Sequence, residues 1–584
     1  MKLIFRYLKK YGGAVALAIF IKLIGTMSEL LLPYILEYII DDIVPLRDLK
    51  QVLLWGSMMF AVALFCRQFN VFANSMAISN AHKISYEVRQ SLFEKTVNLT
   101  GDQFDAFTLP SLISRMTSDS YNVQSAVQQF QTLMVRAPIL LFGGIGFALV
   151  MDREMAKIMI TIMPLLILII FFVSSLGIPM YTAVQEKLDA VVRIMRENIT
   201  GIRVVKALSK EDYENRRFRK ANEDMKKKDV NAAAIMAIPS PLMQMCLNVG
   251  LTLVVLNGAS RVNQGLMKPG VILAFLTYFN MITMGVMGLN RIFMTLSKAS
   301  ASADRIDAVL QSKTPEQPVQ ERKEETESRE AVRFDHVSFA YGEGSGNTED
   351  FAGEERENAL ENISFVLNRG KSLGIIGPTG SGKSTIIHLM MRFYETDQGT
   401  ISVDGQLVDA YDRRELRRKF GTVFQNDMIF QDTLRENIVF GRDVNEEEIS
   451  VAVKSAMAEE FVSSLEDGLE YEAAIKGANL SGGQKQRILV SRALAAKPEI
   501  LILDDSSSAL DYKTDAAMRK AIRQNYPDST LVMIAQRISS VMNLTNILVL
   551  DNGRCIGYGT HDELMKTCAP YREIYEIQMG AMHE

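Results

Sequence analysis

Two kinds of hydrophobic patterning divide the chain. Up to about Leu310 it carries long apolar runs, and beyond Arg333 it turns to short apolar strands set between glycine turns and charged segments. Six segments in the first part offer the roughly 20 mainly apolar residues that a membrane span needs. They lie near Tyr11 to Ile40, Val52 to Ser75, Gln131 to Met151, Ala156 to Ile178, Ile238 to Ala259 and Val271 to Leu296. Connections after the first, third and fifth are short, whereas those after the second and fourth are long, polar and helix-favouring. The first run follows Lys2, Arg6, Lys9 and Lys10 and continues through Ile40 without a small-residue cleavage motif, which predicts a retained membrane helix and not a signal peptide.

After the sixth run, Gln311 to Glu330 is polar, contains two prolines and has almost no apolar residue. Such a stretch cannot bury a core and reads as a flexible connector. The predicted organisation is an α-helical six-span transmembrane domain over 1–310, a linker over 311–330, and an α/β phosphate-loop nucleotide-binding domain over 331–584.

Charge orients the first domain. The stretch from Lys187 to Lys228 contains Arg193, Arg196, Arg203, Lys206, Lys210, Arg216, Arg217, Arg219, Lys220, Lys226 and Lys227, while the first short connection has Asp41, Asp42 and Asp48 against Arg47 and Lys50. Single lysines on such helices are ordinarily solvated, but the asymmetry predicts a multi-pass protein of the cell membrane, in contact with the lipid bilayer. Its long connections, both termini and its nucleotide domain then lie in the cytoplasm. The net charge of −4 is small for the length and gives no reason to expect nucleic acid as a partner. Cys66, Cys246, Cys555 and Cys568 are scattered and show no metal-binding spacing or disulfide framework.

Candidate chemistry begins at Ser372. An apolar strand runs into Gly377-Pro378-Thr379-Gly380-Ser381-Gly382-Lys383-Ser384-Thr385 and then into a helical pattern. That context makes a phosphate loop credible: backbone N–H groups and a helix N-terminus cradle phosphates, Lys383 reaches the β- and γ-phosphates of ATP, and Ser384 is a ligand for Mg²⁺. A second apolar strand, Ile500 to Leu503, ends in Asp504, a carboxylate for the same metal shell. Between the two lies Leu480-Ser481-Gly482-Gly483-Gln484. Ser481 and the glycine N–H groups open a helix suited to capping a γ-phosphate.

These strings, in this order and over nearly the whole chain, resemble the ATP-binding cassette exporter family, with a six-span type IV exporter fold. The resemblance implies that Tyr341 stacks on adenine and that Gln425 senses Mg²⁺ and connects to the membrane domain. It also implies that Leu480 to Gln484 acts in trans, on the nucleotide of a second cassette in a head-to-tail dimer, with Ser508-Ala-Leu-Asp511 following the metal-binding strand. Glu197 to Lys206 and Leu112 to Asp119 are similar to the family's cytoplasmic loops, and coupling helices are expected near Phe107 to Ser114 and Leu208 to Arg216.

Two positions depart from the family. Where it has the glutamate that polarises the attacking water, this chain has Asp505, shorter by about 1.5 Å. Where it has a histidine on the γ-phosphate, this chain has Gln536, and none of the five histidines stands there. Glutamine donates a hydrogen bond but takes up no proton. With the signature intact, the sequence predicts the degenerate-site half of a heterodimer like the bacterial multidrug-type exporters, its partner a second half-transporter carrying Glu and His, its cargo an amphipathic or hydrophobic drug, lipid or peptide. A channel or regulator switched by ATP binding is the alternative, which the intact signature and the two-domain layout disfavour; peptide secretion coupled to cleavage is disfavoured for want of a protease-sized domain before the first span. The glycine-rich acidic stretch between Tyr341 and Ala359 reads as a surface insertion. Lys22 and Arg67 are candidates for a basic patch on the substrate path, with snorkelling or pairing as the plainer reading. Met281, Met284 and Met287, with Met243 and Met245, suit either an adaptable cavity or ordinary packing.

Overall fold

The structure, a computed structural model, describes residues 2–312, 328–342, 358–506 and 509–580. It divides into two compact units, one of Met1–Val97 with Pro110–Gln311, the other of Asn98–Leu109 with Ser312–Glu584. Most of the expected linker and of the insertion after Tyr341 lies outside the described residues.

Six helices of the first unit are long and apolar enough to cross a membrane: Gly12–Leu46, Leu49–Val97, Leu109–Met151, Arg153–Thr200, Glu211–Asn263 and Pro269–Leu310. They outrun the apolar segments because the polar stretches beside them keep a helical pattern. The second, at 49 residues, is about 70 Å long by its rise per residue, more than twice a hydrocarbon layer of about 30 Å. Its packed side follows the four-residue repeat Ala73, Ala77, Ala81, Ser85, all buried, and such small residues let helices approach closely. Several buried polar groups are paired: Asn80 donates to Gln131 at 2.9 Å, Tyr278 to the Leu30 carbonyl at 2.7 Å, and the Gly270 N–H to Asp41 at 2.6 Å. Near the far end of the third and sixth helices, buried Asp119 accepts from Ser302 at 2.8 Å and from Arg305 Nε at 2.8 Å.

Each expected coupling segment falls at a left-handed turn between two helices. The expected Phe107 to Ser114 takes in the end of a helix over Gly101–Phe107, which Thr100 and Gln103 start with a reciprocal capping box, and the whole of a helix over Leu109–Ser114. Thr108 between them turns into the left-handed region, φ 56°, and Leu109-Pro110 opens the next helix. The helix over Gly101–Phe107 belongs to the second unit: the Gly101 N–H donates to the Phe393 carbonyl at 3.0 Å and Tyr394 donates to Asp105 at 2.7 Å. The second corner is a helix over Ile202–Ala207 and a left-handed turn at Ser209. Leu208 to Arg216 does not form one helix, because Glu211, Asp212 and Glu214 start a new 27-residue helix at Glu211.

The second unit carries ten strands among the described residues: β1 (Glu330–Phe339), β2 (Leu360–Asn368), β3 (Ser372–Ile376), β4 (Gln398–Val403), β5 (Gln406–Leu407), β6 (Phe420–Val423), β7 (Ile500–Asp504), β8 (Thr530–Ile534), β9 (Asn546–Asp551) and β10 (Arg554–Gly559). One sheet has the order β2-β1-β4-β5 and is antiparallel; the other has the order β10-β9-β3-β8-β7-β6 and is parallel except at β10. All of β3 and all of β7 are buried, as expected for parallel strands covered on both faces.

Removing the Asp119 carboxylate leaves Ser302 and Arg305 without their acceptor. Because Arg305 is half exposed, the cost is discounted to about 1–3 kcal/mol. Asp119→Ala is expected to lower the thermal midpoint of the detergent-solubilised protein by several degrees. Asp119→Asn, which still accepts from Ser302, should lower it less, and equal midpoints for all three would contradict the assignment.

Candidate nucleotide site

Parallel pairing decides what meets at the edge of the larger sheet. Ile375 pairs with Ile534, and Ile534 pairs in turn with Asp504, so the loops leaving β3, β8 and β7 emerge side by side. An open α/β sheet offers its ligand crevice at such carboxyl ends. From β3 comes Gly377 through Lys383. Gly382 precedes the helix Lys383–Met390 with φ 91°, and an added Cβ would stand 2.6 Å from the Ala359 carbonyl, so only glycine fits. Pro378, Thr379, Gly380 and Ser381 complete the loop, and Lys383 Nζ donates to the carbonyls of Gly377 at 3.0 Å and Pro378 at 2.6 Å. Burial pulls the Lys383 ammonium below the usual lysine range, opposed by the Asp504 and Asp505 carboxylates.

Ser384 and Asp504, 120 residues apart, are brought into contact: the hydroxyl donates to Asp504 Oδ2 at 3.0 Å. Burial is the main cause that pushes the Asp504 carboxyl above the usual aspartate range. A buried carboxylate beside a hydroxyl, both hard oxygen donors, fits Mg²⁺, whose charge would relieve that cost. Gln425 is exposed just beyond the end of β6, the neighbour of β7.

The two departing residues also meet. Gln536 Nε2 donates to Asp505 Oδ2 at 3.0 Å. Asp505 has φ 50°, a left-handed conformation that aspartate enters more readily than most residues. Burial raises its carboxyl above the usual value, with Lys383, Arg537 and the Gln536 hydrogen bond opposing. Two residues outside any motif hold this region. Gln578, on the last helix, donates to the Gln536 carbonyl at 3.0 Å and accepts from the Ile538 N–H at 2.7 Å. Arg519 donates to the Ser540 carbonyl at 3.0 Å and pairs with Asp515 at 2.9 Å. No local spacing marks either residue, since their partners are remote in sequence.

Ser481 caps the helix Gly482–Ala495 in a reciprocal box with Gln484, which presents Gly482 and Gly483 in its first turn, just after buried Leu480. Ser508 lies outside the described residues, and Asp511 caps the helix Tyr512–Asn525. Tyr341 is half-buried: its hydroxyl lies 3.0 Å from Thr385 Oγ1, and its ring meets Phe339 and Tyr394 edge to face.

Lys22 and Arg67, candidates for a basic patch with snorkelling or pairing as the plainer reading, have different surroundings. Lys22 is buried and donates to Asn70 at 2.8 Å and Asn74 at 3.0 Å, whereas Arg67 is exposed. Arg67 follows Cys66, which faces the packed side, and a step of one residue turns it about 100° away. Met243 is core and Met281 is half-buried, while Met245, Met284 and Met287 are exposed.

In the folded chain Asp504 holds its proton to higher pH than in the unfolded chain, so its ionisation costs stability as pH rises past the usual aspartate value of about 3.9. Asp504→Asn is therefore expected to raise the thermal midpoint of the nucleotide-free protein at neutral pH, with the gain vanishing toward pH about 3. The same variant should lose the extra stabilisation that Mg²⁺ adds over ATP alone. A lower midpoint at neutral pH in thermal melts would contradict the assigned cause.

Comparison with known proteins agrees with both units. Residues 15–286 match the family model for the ABC transporter transmembrane region, and residues 360–508 match the ABC transporter model. YfiB of Bacillus subtilis, described as an uncharacterised ABC transporter ATP-binding protein, is 34% identical over 575 residues, covering 98% of each chain. A Mycobacterium tuberculosis protein of the same description is 30% identical, covering 99% of this chain and 98% of its own. The solved structure of a bacterial Atm1-family ABC exporter with ATP bound shares the fold, with a TM-score of 0.79 at 21% identity over 98% of each chain. With a transmembrane region and an ATP-binding domain in one polypeptide, this chain belongs to the ATP-binding cassette transporter family.

Proposed function

We propose that this chain is one subunit of a heterodimeric, ATP-driven exporter in the cell membrane, with its termini and cassette in the cytoplasm. It moves an amphipathic or hydrophobic substrate out of the cytoplasm or the inner leaflet. Its own nucleotide site holds Mg²⁺–ATP through the loop Gly377 to Thr385, Asp504 and Gln425, with Tyr341 on the adenine, and turns it over slowly. Its signature, Leu480 to Gln484, completes the hydrolytic site of a partner half-transporter that carries Glu and His.

The observation that carries this reading is the Gln536–Asp505 hydrogen bond at 3.0 Å beside a Ser384–Asp504 pair that is in place. A general base needs a free lone pair within hydrogen-bond reach of the attacking water. Asp505 is short of that reach, and one of its oxygens accepts from an amide that cannot relay a proton. Binding groups are kept and hydrolytic groups are altered, as suits a holding site. The capping box that presents Ser481 with Gly482 and Gly483 is what the site across a dimer would require.

General base catalysis contributes about 10²–10⁴-fold. ATP turnover by the purified chain alone is therefore expected to fall at least about a hundredfold below that of the complex with its partner. Asp505→Glu with Gln536→His should raise turnover of the chain alone about tenfold or more, and Ser481→Arg should depress turnover of the complex while the chain still binds ATP. Transporter-rate hydrolysis by the chain alone, unaffected by any partner, would sink the proposal.

A further inference from the structure

Between the helix Tyr512–Asn525 and the stretch from Ser539 to Thr545 the cassette holds a cavity of about 630 Å³. Small-molecule pockets run from about 300 to 1,000 Å³. It shares no residue with the phosphate loop, and Gly370, Lys371 and Ser529 in its lining stand at the amino ends of β3 and β8, opposite the nucleotide edge. Its charge is of one sign: Lys371, Arg519, Lys520 and Arg523 line it, and no aspartate or glutamate does. Arg519 is spent inside the protein, pairing with Asp515 at 2.9 Å and donating to the Ser540 carbonyl at 3.0 Å. Lys371, Lys520 and Arg523 are exposed, and among the described residues none of them forms an ion pair.

A second cavity, of about 610 Å³, meets the first at Tyr526, Pro527 and Ser529 and is arranged differently. In its lining Asp404 pairs with Arg369 at 2.7 Å and Glu448 pairs with Lys497 at 2.9 Å, so carboxylates answer its cations. In the first cavity no carboxylate does so, and the sequence shows why. The helix Tyr512–Asn525 carries Lys513, Arg519, Lys520 and Arg523 against one acid, Asp515, which is buried on Arg519, and the facing stretch Ile538 to Thr545 has no charged residue. Lys520 and Arg523, three residues apart, share one face of their helix. Exposed lysines are ordinarily solvated one by one, but like charges that converge on a recess focus a positive field into it.

We propose that this cavity binds a soluble small molecule carrying two or more phosphoryl groups, at a site separate from the ATP site. Three unpaired cations around one recess are matched by several negative charges in a small volume. A polyphosphorylated molecule supplies them, whereas an acidic peptide spreads its charge over one carboxylate per residue. Arg523 takes phosphoryl oxygens through its planar fork, Lys371 and Lys520 act as point charges, and the exposed Asn543 amide on the facing wall adds a neutral donor. The helix follows Asp511 and the facing stretch follows Gln536, so a bridging anion ties together two elements that leave the nucleotide edge. The inference goes beyond the exporter reading and does not depend on it.

Calorimetric titration of the full chain in detergent at low ionic strength tests this, with inorganic tripolyphosphate as the probe and Lys383→Ala as the background that disables the phosphate loop. The background protein is expected to bind tripolyphosphate at least about tenfold more tightly than inorganic phosphate, and added salt should weaken the binding. Lys520→Gln with Arg523→Gln should weaken it at least about tenfold, and Lys371→Gln should weaken it by less. Lys513→Gln, which removes the same charge outside the cavity, should leave it unchanged. All four side chains are exposed, so the variants are expected to share one thermal midpoint. No binding to the Lys383→Ala protein, inorganic phosphate bound as tightly, an equal loss in Lys513→Gln, or binding that survives Lys520→Gln with Arg523→Gln would overturn the proposal. Tighter binding of hexaglutamate than of tripolyphosphate would also overturn it and make this cavity a protein-docking surface.

Discussion

The parallel ladder of β3, β8 and β7 is the constraint on which the rest of the cassette depends. Its strands are central, β3 and β7 are buried throughout, and their paired register fixes where each strand ends. That rigidity delivers three loops from distant parts of the chain to one edge. It gives Ser384 its contact with Asp504 and Asp505 its contact with Gln536. Loops alone would not hold polar groups within the few tenths of an ångström that metal binding and proton transfer require.

Around that edge the remaining interactions are tethers. Gln578 ties the last helix to the backbone on either side of Arg537, and Arg519 ties the helix after Asp511 to the segment after Ile538. The loops at the sheet edge are thereby joined to helices remote from them in sequence. The short helix Gly101–Phe107 packs in the same unit against Phe393 and Tyr394, which follow the phosphate-loop helix by a few residues. An added Cβ on Gly101 would stand 2.7 Å from the Tyr394 ring, so the fit there is close.

In the membrane unit several buried polar groups find partners. Asp41, Asn80, Asp119 and Tyr278 each do so across helices. Lys22 satisfies itself on Asn70 and Asn74, which is why its charge does not build a patch with Arg67.

The sequence by itself determined the class of fold and the nucleotide chemistry. Runs of about 20 apolar residues have few alternatives to a membrane helix, and Gly377 to Thr385 after an apolar strand is a local pattern whose conformation depends on neighbours in the chain. Asp505 and Gln536 were legible as departures only against the family that these motifs resemble. Tertiary structure decided what depends on contacts between remote segments: the pairing of Gln536 with Asp505, the clamp by Gln578 and the separation of Lys22 from Arg67. The start of the helix over Gly101–Phe107 was written locally, in the capping box of Thr100 and Gln103, ahead of most of the segment that the family pattern marked. Which side of a span is covered is a property of the packed bundle, so helical spacing could align Met281, Met284 and Met287, and only the fold could show Met281 half-buried and Met284 and Met287 exposed.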